Sequence, residues 1–145
     1  MRTIAPDNLL RRVLRLDACA SGASGVLLIV AAAVLADTFA AELGIPGRLL
    51  APLGVVLVGY AIGLWFIETR PSLNRSAVQA VIVVNALWVA ASVLTVLLAR
   101  LPLTGAGTAF VLLQAAAVAL IAERELTGLR QVSASQTYPG ATLRP

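Results

Sequence analysis

Apolar residues run through this chain in four long stretches, at about 18–36, 49–67, 77–98 and 106–122. Each approaches or meets the length of about 20 residues that a helix needs to cross a bilayer. Nineteen residues at ~1.5 Å rise give roughly 28 Å, close to one hydrocarbon thickness. The breaks between them hold helix breakers and caps: Gly44, Pro46 and Gly47; Pro71, Ser72 and Asn74; Pro102, Gly105 and Gly107. Connections this short force neighbouring helices to run antiparallel. The pattern predicts an all-α polytopic membrane protein, an up-down antiparallel four-helix transmembrane bundle occupying residues 18–130.

The flanks differ from the spans. Within a cytoplasmic N-terminal segment at 1–17, Leu9, Leu10, Val13 and Leu14 recur at helical spacing, with Arg11, Arg12 and Arg15 on the other face. This reads as a short amphipathic helix anchored on headgroups and leading into the first span. Residues 131–145 are rich in Ser, Thr, Gly and Pro without periodicity, so a disordered cytoplasmic tail is expected. Val34-Leu35-Ala36 before Asp37 imitates a signal-peptide cleavage site. The apolar run is longer than a usual signal core, which favours an uncleaved first span; cleavage would leave three.

Charge sets the orientation. All eleven basic residues are arginine. Arg2, Arg11, Arg12, Arg15, Arg70, Arg75, Arg124, Arg130 and Arg144 fall on one side of the expected spans, and only Arg48 and Arg100 on the other. The positive-inside rule then puts both termini in the cytoplasm, with the chain multi-pass in a bacterial cytoplasmic (inner) membrane. Composition agrees: 59% of residues are hydrophobic and 12% charged, against about 25% charged in soluble domains. The net charge of +4 does not indicate a nucleic-acid partner, because the arginines form no continuous stripe and flank apolar runs instead. The expected partner is the lipid bilayer.

Residue content also excludes chemistries. Cys19 is the only cysteine, which rules out an intrachain disulfide, and the chain has no histidine. Bis-histidine haem ligation, His-based zinc sites and Ser–His or Cys–His nucleophile pairs are therefore absent. No cofactor, metal site or enzymatic activity is expected.

The remaining candidates are side chains within the spans. Ser21 and Gly25 in the first, and Gly59 and Gly63 in the second, are small residues four apart that let backbones approach. They would close the bundle or, alternatively, a homodimer. Asn85 and Gln114 lie near the middles of the third and fourth spans, where polar side chains are costly and are functional candidates by default. Two carboxamides at matching depth can pair and set helix register. Alternatively they border a small polar pocket for a neutral substrate or a lipid headgroup, with Tyr60 and Trp88 as its wall. Asp17, Glu68, Glu123 and Glu125 fall at span edges among arginines and read as an interfacial ring of ion pairs. Trp65, Phe66 and Phe39 suit an aromatic belt.

Leu14-Arg15-Leu16-Asp17-Ala18, the small-residue run from Ser21 to Gly25, Asn85-Ala86-Leu87-Trp88 and Glu125-Leu126-Thr127-Gly128-Leu129-Arg130 together resemble a group of small uncharacterised four-helix integral membrane proteins of GC-rich bacteria. The resemblance covers about residues 13 to 130 and implies a fold and a location, not a reaction. On the sequence alone, the leading expectation is a structural or accessory subunit that interacts with other membrane proteins. The alternative is a small dimeric transporter, or a lipid- or small-molecule-binding membrane protein. Small multidrug exporters are similar in size but carry an embedded glutamate in their first span, whereas the acid here, Asp17, reads as lying at the edge.

Overall fold

The computed structural model describes residues 6–34, 41–98 and 101–137. Among them the chain is helical with no strand: α1 (Pro6–Val34), α2 (Leu50–Glu68, preceded by a 3-10 turn at Gly47–Leu49), α3 (Arg75–Leu97) and α4 (Gly105–Thr137). Four stretches are long and apolar enough to cross a membrane: Asn8–Ala33, Gly47–Glu68, Arg75–Leu97 and Gly105–Gln131. Arg2, Leu35, Ala36, Asp37, Phe39, Arg100 and Arg144 lie outside the described residues.

Local chemistry explains the helix starts. Asn74 caps α3 by accepting from the backbone N–H groups of Ser76 and Ala77 at 2.9 and 3.4 Å. Thr104 does the same for α4, its hydroxyl accepting from Gly107 N–H at 3.0 Å and donating to the Glu42 carbonyl at 2.6 Å. That second bond ties the 101–104 connection to the 41–46 connection. Gly44 there has φ +67° and backs directly onto Pro102, a combination that no side chain would fit. Pro52 sits in the first turn of α2, where a missing N–H costs nothing.

The helices pack as two pairs. α1 lies along α2 and α3 along α4, α1 against α4 joins the pairs, and α2 and α3 scarcely touch. α1 and α2 approach closely, and a Cβ on Gly54 would come 2.6 Å from the Gly25 carbonyl oxygen. Gly25 therefore closes the bundle, but its partner is Gly54. Of the two expected uses, Gly59 and Gly63 do not serve bundle closure: a Cβ at either would meet open space, so their face of α2 points outward. Ser21 is spent on a hydrogen bond to Asp17 at 3.1 Å rather than on a close crossing.

α1 and α4 run past the expected span limits. The amphipathic segment is not a separate surface helix, because α1 is continuous from Pro6 and its Leu10 and Leu14 are buried. Their stripe continues in phase through Ala18 and packs with Leu64, Val78, Val81 and Leu129. Leu129 belongs to α4, which runs helical through Thr137 and so takes in 131–137 of the expected tail; residues 138–145 lie outside the described residues. Each extension supplies the apolar cover the other needs. A second cluster of Leu28, Ile45 and Leu50 fills the other end. The outer surface carries Leu27, Val55, Val56, Phe66, Leu87, Leu113 and Leu120, each more than half exposed. An apolar surface of that extent is foreign to soluble monomers.

Gly54→Ala is expected to lower stability by about 1–3 kcal/mol through overpacking at the α1–α2 crossing. Gly59→Ala, in open space, should be neutral or stabilising by up to about 1 kcal/mol. Unfolding in detergent micelles followed by circular dichroism reads both; equal behaviour of the two variants would contradict the crossing.

Candidate functional site

Near the middle of α3 the chain places Asn85, 3% exposed. Its amide Nδ2 donates to Asp17 Oδ2 on α1 at 3.0 Å and to Glu125 Oε2 on α4 at 3.2 Å. Its Oδ1 accepts from the Tyr60 hydroxyl on α2 at 2.9 Å. The NH2 therefore faces the two acids as donor, and the carbonyl accepts from the phenol. One carboxamide thus joins all four helices.

The donors around the acids are used up. Asp17 Oδ1 accepts from Ser21 at 3.1 Å, and Oδ2 from Asn85, with the Tyr60 oxygen 3.3 Å away. Tyr60 has one proton, and the shorter contact gives it to Asn85. Glu125 receives a single bond on Oε2, while Oε1 is buried with no hydrogen-bond partner. Asp17 is 1% exposed and Glu125 fully buried. Among the described residues no arginine forms an ion pair with either. Burying a carboxylate costs several kcal/mol unless charge and hydrogen bonds offset it, so this pair stands out.

Glu68 makes the contrast. It too is buried, but it forms an ion pair with Arg15, whose side chain reaches solvent. One turn earlier Arg11 donates to the carbonyls of Glu68, Arg70 and Pro71, the last two at 2.8 and 2.9 Å. These carbonyls at and beyond the end of α2 have no helical partner of their own. Glu123 is exposed. The expected ring of edge ion pairs therefore reduces to Arg15–Glu68, and Asp17 and Glu125 are corrected from edge charges to members of the interior.

Beside Asp17 and Asn85 lies a cavity of about 190 Å³, lined from all four helices and including Tyr60, Trp88 and Gln114. Tyr60 and Trp88 do stand in its wall. Gln114 does not bond Asn85: its Oε1 accepts from Trp88 Nε1 at 3.1 Å and its Nε2 donates to Ser92 at 3.3 Å. The two carboxamides share the cavity but not a bond, because Asn85 is already committed to the two acids and the phenol. The pocket thus has an acidic end at Asp17 and a neutral end at Gln114, with aromatic rings between.

Glu125 is the residue that sequence reasoning undervalued. The apolar run stops at Ala122, so Glu123-Arg124-Glu125 looks like a charged helix end. Spacing held the better signal: Ala115, Glu125 and Leu129 are buried, with Val118 and Ile121 partly so, at intervals of three and four. Glu125 continues that stripe and Glu123 does not. Comparison with family models, curated proteins and solved structures finds no match for this chain.

Asn85→Leu should cost about 2–3 kcal/mol, because it strands two buried acids, and Gln114→Leu about 1 kcal/mol. With no shared partner, the two losses should add within about 0.5 kcal/mol in a double-mutant cycle. A larger coupling energy would mean that the carboxamides interact after all.

Proposed function

We propose that this chain crosses a bacterial cytoplasmic membrane as an up-down four-helix bundle with both termini in the cytoplasm, and that the bundle binds a small cationic solute as part of a transport function. Four apolar helices and an apolar exterior support the membrane setting. Nine arginines against two support the orientation. Arg11 reaching the carbonyls of Arg70 and Pro71 supports placing the N-terminal segment and the α2–α3 connection at one end.

The observation that carries the binding reading is Asp17: a buried carboxylate without a cationic partner among the described residues, facing a cavity walled by Tyr60 and Trp88. Within a membrane such acids mark substrate or ion pathways. Aromatic faces add cation–π attraction for an ammonium with an apolar body. At about 190 Å³ the cavity is smaller than pockets that take drug-sized ligands, which run about 300–1,000 Å³, so the solute is small. This departs from an accessory subunit without chemistry of its own, a reading that depended on the acids lying at the membrane edge.

In lipid nanodiscs, titration calorimetry should show tetramethylammonium binding, with tert-butanol, a neutral molecule of similar shape, failing to bind. Asp17→Asn should weaken tetramethylammonium at least tenfold, equivalent to about 1.4 kcal/mol, while Glu123→Gln, on the exposed face, leaves it unchanged. Equal affinity for the wild type and Asp17→Asn would contradict the site.

A further inference from the structure

The charge count around Asn85 carries the reading one step further. Ser21, Tyr60 and the Asn85 amide supply four donor hydrogens, and each is already used on Asp17, Glu125 or the Asn85 carbonyl. Glu125 Oε1 is left buried without a partner in the same cluster. The groups facing the two acids can be named helix by helix. α1 brings Asp17 itself and Ser21, α2 brings Tyr60, α3 brings Asn85, and α4 brings Glu125. None is cationic. Of the basic groups on α1, Arg11 and Arg15 are engaged at the end of α2 and with Glu68, and Arg12 is exposed.

We infer that Asp17 and Glu125 form one exchange site, which shares a single proton when the cavity is empty and releases it when a monovalent cation enters. The inference rests on the cation-binding reading above and names its coupling. Two bare negative charges bridged by one amide repel strongly in a low-dielectric interior. One positive charge relieves that repulsion, whether it arrives as a proton or as a cation. In the exchange the carboxylic O–H bond breaks, its electron pair stays on the carboxylate, and the proton passes to bulk water. The cation takes its place beside Asp17, so the net charge of the site is −1 before and after. Nothing is oxidised or reduced. Asn85 positions the pair: its two N–H groups hold one oxygen of each acid, so a charge change at one is felt at the other.

The test uses the full chain in nanodiscs, in weakly buffered solution containing a pH indicator, with tetramethylammonium chloride as the probe. The wild type should release close to one proton per cation bound, and affinity should rise up to tenfold per pH unit across the range of release. The infrared band of a protonated carboxyl group should be present before addition and disappear after it. Glu125→Gln should still bind the cation through Asp17, with no proton release and a pH-independent affinity. Cation binding by the wild type with neither proton release nor pH dependence would overturn the exchange and leave the cation site standing. No binding by the wild type would overturn both. The indicator and infrared measurements on the wild type decide the matter even if Glu125→Gln fails to fold.

Discussion

Two buried carboxylates held by one carboxamide are the constraint on which the rest of this structure depends. Asn85 spends both N–H groups on Asp17 and Glu125 and its carbonyl on Tyr60, so α1, α2, α3 and α4 meet at one side chain. Charge burial normally destabilises a bundle. Here the surrounding packing keeps the acids in place. Leu10, Leu14, Ala18 and Leu129 pack into one buried cluster, and the Gly25–Gly54 crossing holds α1 tightly along α2. Arg11 secures the end of α2 without approaching the pair. A fold that needed only to span a membrane would gain from replacing these acids with leucine. Their burial is the feature on which the proposed cation binding rests.

Much of the fold was legible because its periodicities are simple. Apolar run length located all four helices, and Asn74 marked the start of α3. What misled was the habit of ending a span where hydropathy ends. Residues 8–17 and 123–131 look polar when averaged, yet each has an apolar face, and Leu10 and Leu14 of one pack with Leu129 of the other. That places Asp17 and Glu125 in the interior even though both lie beside arginines in sequence. Single-residue reading succeeded for Tyr60 and Trp88 as cavity wall. It failed for the Asn85–Gln114 bond, because matching depth on two helices does not determine which way each carboxamide turns. The acids decided that, and they are brought near only by the three-dimensional crossing. Gly59 and Gly63 show the same limit: a small-xxx-small spacing identifies a smooth helix face but not whether another helix lies against it.

The cavity and the acid pair together define a graded environment across the bundle. Gln114, Trp88 and Ser92 form a closed neutral network at one end, so that end offers shape and rings without charge. Asp17 supplies the charge at the other. On the proposed reading a solute with an apolar body and a positive head matches both halves, while an anion would meet the Asp17 carboxylate. Among the described residues Glu68 is paired with Arg15, whereas Asp17 and Glu125 have no ion-pair partner.

The most direct measurement of the central interaction is the stability cost of Asn85→Leu in two backgrounds, the native chain and one carrying Asp17→Leu with Glu125→Leu. If Asn85 is there to hold two buried acids, its loss should be severe in the first background. In the second it should fall to well under half, since removing both sides of a buried hydrogen bond is close to neutral while removing one is not. An equal cost in both backgrounds would show that Asn85 does not serve the acids, and the four-helix junction described here would be wrong.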